Sequence, residues 1–169
     1  MIYYVGGVMT RKENNELADA TLSLSKQYTG TKAMEKWGSG KDSPQNSWFI
    51  PDIPYPDIAR TLSDRLCDAV SQIVDGLNMD YKVKPTEFWY NVYDNTQYQE
   101  LHTHNPGIFS VVYFNKMPEG SAPLVFEGNE IHLDHQTEGS AIVFLSFMKH
   151  GVERGTNTEP RITWAMNFQ

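Results

Sequence analysis

The sequence predicts an α+β protein in which two N-terminal helices precede a β-sandwich or jelly roll. Three observations carry this. Helical apolar periodicity is confined to the first 82 residues. From residue 83 short β-branched and aromatic runs take over, separated by Gly, Pro, Asn or Asp. Helical and strand segments do not alternate as βαβ units would. In chain order, Thr10 and Glu13 form a Thr-x-x-Glu capping box, and Leu17, Thr21, Leu24 and Tyr28 recur on one face, so a helix is expected from about residue 11 to 28. Residues 29–56 are rich in Gly, Ser, Asn and Pro, punctuated by Trp37, Trp48, Phe49 and Tyr55, and read as loop with one short strand. Pro56 and Asp57 suit a helix start, Ile58, Leu62, Leu66, Ala69, Val70, Ile73, Val74 and Leu77 form one apolar stripe, and Gly76 and Asn78 mark its end. The runs EFWYNVYD, GIFSVVYFNKM, APLVFEG, NEIHLD, SAIVFLSF and RITWAMNF then supply about eight short strands.

With 169 residues, 40% of them hydrophobic, the chain is long enough for a real core and far from the composition of disorder. We expect a single domain over 1–169, with 1–82 as helical support and loop and 83–169 as the jelly-roll core. No run approaches the ~20 apolar residues of a bilayer span, and MIYYVGGVMTRKENN lacks the basic-then-apolar order of a signal peptide, so the expectation is a soluble, cytoplasmic protein without a membrane partner. The lone Cys67 lies among helical apolar positions and reads as a buried structural thiol rather than a nucleophile. A net charge of -7 without a Lys/Arg cluster leaves nucleic-acid binding without a source of phosphate contacts. Oligomeric state is not legible.

All five histidines fall in the strand-rich half: His102, His104, His132, His135 and His150. His102 and His104, in ELHTHNP, are two apart, so on an extended segment both point to one face and make a candidate bidentate metal site. His150 follows the apolar run AIVFLSFMK at a strand end, from which a rolled sheet brings it to the pair. Three neutral imidazoles suit Fe, Zn, Cu or Ni; the competing reading is three solvated histidines near strand ends. His132 and His135 alternate with apolar residues across a turn and read as surface residues. Arg161 opens the last run, PRITWAMNF. Flanked by Ile162 and Trp164, it would be costly to bury unless an anion met its planar fork; the alternative is an outward-facing Arg161 paired with Glu159. Trp89, Phe109, Phe126, Phe144 and Phe147 read as core at strand spacing.

The ordered motifs YNVYDNTQYQELHTHNP, SVVYFNK, LVFEG, GSAIVFLSFMKHGVE and RITWAMNF, over about residues 88 to 168, resemble the Fe(II)/2-oxoglutarate dioxygenases, in their prolyl hydroxylase-like branch. The resemblance implies a double-stranded β-helix and a metal site formed by His102, His104 and His150. It also implies Arg161 as the clamp for the distal carboxylate of 2-oxoglutarate, helped by Thr163 and Tyr113, with Tyr93 or Asn91 as a further contact. The cofactor set it implies is Fe(II), 2-oxoglutarate and O2, used to hydroxylate a peptidyl, prolyl or small amino-acid-like substrate with release of succinate and CO2. One departure is that His104 stands where the family carries a carboxylate; either His104 ligates, or Glu127 or Asp134 supplies the carboxylate, or only two histidines bind. Residues 28–55 would serve as a lid, a substrate groove or a packed structural loop. Two other functions compete: a three-histidine cupin-like dioxygenase that needs no 2-oxoglutarate, and hence no Arg161, and a non-catalytic jelly-roll binding module.

Overall fold

The structure, a computed structural model, describes residues 1–28, 39–48, 50–131 and 137–169. Strand β1 (Ile2–Val5) leads into helix α1 (Arg11–Gln27), and a 3-10 turn (Gly40–Asp42) into strand β2 (Gln45–Asn46) and helix α2 (Asp57–Gly76). Then come β3 (Pro85–Tyr93), β4 (Gln99–His102), β5 (Phe109–Lys116), β6 (Leu124–Phe126), β7 (Asn129–Ile131), β8 (Ser140–Leu145), β9 (His150–Val152) and β10 (Arg161–Phe168). Thr10 caps α1 as expected: its hydroxyl accepts from the Glu13 N–H, while the Glu13 side chain takes the Thr10 N–H at 2.8 Å. Among the described residues no helix is long and apolar enough to cross a membrane.

The strands form two antiparallel sheets, one ordered β1-β8-β5-β10-β3-β2 and the other β4-β9-β6-β7. This is the double-stranded β-helix. Period-2 alternation divides each central strand between two cores. Ile162, Trp164, Met166 and Phe168 of β10, with Tyr90 of β3 and Val111 and Tyr113 of β5, face the helices and pack on Leu17, Leu62, Leu66 and Val70. Between the sheets lie Tyr93, Phe114, Phe126, Ile142, Phe144 and Val152. The central strand β10 is covered on both faces, so every one of its residues is buried, Arg161, Thr163 and Asn167 included. Cys67 is half-buried against the helix-side core, and burial pushes its thiol up.

Two expectations fail here. Phe147 is 63% exposed: β8 ends at Leu145, and the turn that follows breaks the alternation before it reaches Phe147. Tyr113 does not face the space between the sheets. It sits opposite Trp164 on the helix side and donates its hydroxyl to Asn14 Oδ1 at 2.5 Å, beside Asn115. Val112 takes the inward position instead.

Candidate metal centre

The register of the smaller sheet builds the centre. β4 pairs with β9 so that His102 stands directly opposite His150, and β9 pairs on its other side with β6, which sets Phe126 beside His150. Gly151 permits this close approach: a Cβ there would lie 2.6 Å from the Gln99 carbonyl oxygen. His104 comes in just past β4, where its N–H donates to the Ser146 carbonyl at 2.8 Å and its own carbonyl accepts from Gly107 at 2.8 Å. The three imidazoles have ring centroids 4.4, 4.9 and 5.0 Å apart and ligand atoms within 4.8 Å of one another.

Each ring is prepared as a neutral ligand. His102 Nδ1 lies 2.8 Å from the Glu100 carbonyl and His150 Nδ1 lies 2.9 Å from that of Met148. A carbonyl only accepts, so both Nδ1 atoms carry the proton and both Nε2 lone pairs are left for a metal. Burial lowers all three: His104 to about 3 and His150 to about 4, helped by repulsion from the neighbouring rings, and His102 in the same direction. Nitrogen–metal bonds of about 2.0–2.1 Å need donor atoms somewhat closer than they stand, a change that shifts of under about 1 Å in each ring supply. This donor set fits a divalent first-row metal. Among the described residues no carboxylate joins the group. Glu127 is exposed and paired with Lys149 at 3.7 Å, so it is not the missing carboxylate. Asp134, His132, His135 and Trp37 lie outside the described residues.

A pocket runs from the histidines between the sheets. Arg161, Thr163, Tyr93 and Asn91 all line it, because Arg161 pairs with Tyr93 and Thr163 with Asn91 on adjacent strands, and these four share the inward face. Asn91 Nδ2 donates to the Thr163 hydroxyl at 3.4 Å. Arg161 is 1% exposed, and among the described residues none of its three guanidinium nitrogens has a hydrogen-bond partner; the Tyr93 ring lies against it, 4.7 Å from the guanidinium carbon. Burial pushes the guanidinium down and the Tyr93 phenol up, and each is partly restored by the other. The alternative partner, Glu159, is taken by Lys116 at 2.6 Å. Gln99 also lines the pocket, 8% exposed, and its Nε2 finds no partner among the described residues. Buried donors without acceptors are rare, and here they converge on one space. Such a pocket calls for a ligand rich in acceptor oxygens, which a keto dicarboxylate is.

Sequence reading missed Gln99, Trp48, Asn46 and the pocket-lining role of Trp89. Gln99, three before His102, reaches the same pocket only through the register shift within the β4–β9 pairing, which no spacing announces, and the others depend on how residues 39–48 dock. That segment is pinned to β4. The Ser39 N–H donates to Glu100 Oε2, Tyr98 N–H to the Asp42 carbonyl, and Arg154 to Asp42 Oδ2 at 2.8 Å. The described part of the expected lid is thus packed structure, while 29–38 and 49 lie outside the described residues.

No family model matches the sequence, and no curated protein matches it. Solved structures do. A prolyl hydroxylase from Trichoplax adhaerens, in complex with a hypoxia inducible factor peptide fragment, superposes with a TM-score of 0.74 at 16% identity, over 99% of this chain and 82% of that one. A Pseudomonas putida prolyl-4-hydroxylase gives 0.69 at 16% identity, over 99% and 91%. The viral collagen prolyl hydroxylase of Paramecium Bursaria Chlorella virus-1, in its 2-oxoglutarate complex, gives 0.68 at 12% identity, over 99% and 94%. At these identities the likeness is one of fold.

Proposed function

We propose that the protein is an oxygenase that holds Fe(II) on His102, His104 and His150 and uses 2-oxoglutarate and O2 to hydroxylate a peptidyl or amino-acid-like substrate. The observation that carries this is the buried guanidinium of Arg161, without a hydrogen-bond partner among the described residues, in the same pocket as three neutral, converging imidazoles. The peptide bound to the Trichoplax enzyme and the names of the other two neighbours support a peptidyl, and in particular a prolyl, substrate.

Held by His102, His104 and His150, an iron ion would supply dioxygen activation and the oxidative decarboxylation of the keto acid to succinate and CO2. The chain's residues do the rest. Arg161 offers its fork to the distal carboxylate, with charge-assisted hydrogen bonds in a site where water does not compete. Thr163 and Asn91 present a hydroxyl and an amide beside it, Tyr93 flanks it, and Gln99 adds two N–H donors. Val112, Leu124, Val152, Ala165 and Trp89 exclude water from the walls. Because three imidazoles bring no negative charge to a divalent ion, the dianionic cosubstrate is the compensating anion, and its binding should be tight.

The test is succinate formation from 2-oxoglutarate with Fe(II) in air, without and with proline-containing peptides. Slow succinate release that requires Fe(II), rises with a peptide substrate and is lost in Arg161→Ala is the expected result. Iron-dependent oxygen consumption undiminished in Arg161→Ala would favour the cupin-like alternative, and absence of both activities would leave a binding module.

A further inference from the structure

A second, wider groove adjoins the metal centre. Trp48 and His104 line both this groove and the inner pocket, and Glu87 and Asn167 stand in its wall. Among the described residues that line the groove, Glu87 is the one acidic side chain and none is Lys or Arg. The Glu87 carboxylate is fixed: Oε1 accepts from Trp48 Nε1 at 2.8 Å and Oε2 from Asn167 Nδ2 at 2.6 Å, while Asn167 Oδ1 accepts in turn from the Ser110 hydroxyl at 2.8 Å. Two neutral donors leave acceptor capacity on both oxygens, since a carboxylate offers about four lone-pair sites. Beside it the indoles of Trp48 and Trp89 stack at 5.0 Å and 15°, and both lean on the His104 ring, at 5.9 and 5.6 Å.

We infer that this groove receives the primary substrate and selects one carrying a cationic group, an amine or a guanidinium, close to the carbon that is oxidised. A fixed carboxylate next to an aromatic platform is the chemistry that binds a cation through a charge-assisted hydrogen bond and a π face. The setting agrees, since no Lys or Arg among the described residues lines the groove and the chain carries a net charge of -7. The shared wall at His104 and Trp48 brings such a substrate to the metal side of the inner pocket. The inference rests on the proposed function for its reaction, but its binding chemistry does not require the metal.

The experiment measures binding to the metal-free protein by tryptophan fluorescence, confirmed by calorimetry. The probes are acetylated, amidated five-residue peptides that differ only in a central Lys, norleucine or Glu, together with free lysine and norleucine. The Lys peptide is expected to bind about 10-fold tighter than the norleucine peptide, with the Glu peptide weakest, and the preference to shrink in high salt. Glu87→Gln, which keeps the size and an acceptor for Trp48, should erase the difference between Lys and norleucine. A preference shown by free lysine as well points to a small-molecule amine, and one confined to the peptides to a basic peptide; either supports the inference. Equal binding of the Lys and norleucine probes, no binding of any cationic probe at about 5 mM, or a preference that survives in folded Glu87→Gln would each overturn it. Loss of the preference with keto-acid binding intact sinks this inference alone. Loss of keto-acid binding with the preference intact sinks the oxygenase reading alone.

Discussion

Replacing Arg161 by Met separates the stability of the fold from the function of the pocket. In the ligand-free protein Arg161 is a buried charge that finds no carboxylate and no hydrogen-bond acceptor among the described residues and lies against the Tyr93 ring. A cation over an aromatic face returns about 0.5–2 kcal/mol, whereas desolvating the ion costs several. Met fills a similar volume without the charge, so the ligand-free variant should be more stable than wild type by about 1–4 kcal/mol. For a chain of this length that is a rise in Tm of roughly 3–10 °C. The ligand response runs the other way. With Fe(II) present under anaerobic conditions, 2-oxoglutarate at about a hundred times its Kd should stabilise wild type by about 2.7 kcal/mol, again several degrees, and should leave Arg161→Met unchanged. Scanning calorimetry of both proteins with and without the keto acid reads all four states. A variant less stable than wild type without ligand would mean that Arg161 has a structural partner, and a variant that keeps the full keto-acid response would mean that its guanidinium does not hold the carboxylate.

Gly151→Ala should disable metal binding from outside the ligand set: the added Cβ meets the Gln99 carbonyl 2.6 Å away, about 0.8 Å inside ordinary contact, so β4 must move and carry His102 from His150. Equilibrium dialysis should show metal affinity at least about 10-fold weaker, and unchanged affinity would refute this account of the glycine. The pH dependence follows from the lowered histidines. The folded rings stay neutral down to about 4 for His150 and about 3 for His104, while unfolded histidines protonate near 6.5. The unfolded state therefore binds more protons between these values. Metal-free stability should be fully present above about pH 6.5 and decline as pH falls toward 4, which urea titrations across that range check; a flat profile contradicts it. Tyr113→Phe should leave keto-acid binding unchanged and lower stability by about 0.5–1.5 kcal/mol through loss of the Asn14 hydrogen bond, as thermal melts and 2-oxoglutarate titration will report.

What the sequence made legible was whatever a local period encodes. The capping box at Thr10, the α2 stripe ending at Gly76, the same-face pair His102 and His104, and the incongruous Arg161 in an apolar strand each carry their structural meaning within a few residues. Tyr113 went astray because family position and strand phase conflict there: in SVVYFNK the pairing of Tyr113 with Trp164 puts it on the helix side, and that pairing is a non-local fact. Trp48, Glu87 and Asn167 come from three distant stretches, brought together because β10 pairs with β3 with Asn167 opposite Glu87 and because Trp48 donates to Glu87, so no spacing announces their groove. Gln99 looked like an ordinary polar residue until β9 covered it.

The most direct measurement of the central claim is an anaerobic titration of the protein with Fe(II) and 2-oxoglutarate, followed in the visible range for the weak charge-transfer band of a keto acid chelated to ferrous iron. Wild type should show a saturable one-to-one band that is absent from His150→Ala, through loss of a proposed metal ligand, and from Arg161→Ala, through loss of the proposed carboxylate clamp. Iron binding without the band in wild type, or a band of full intensity and unchanged affinity in Arg161→Ala, would contradict it.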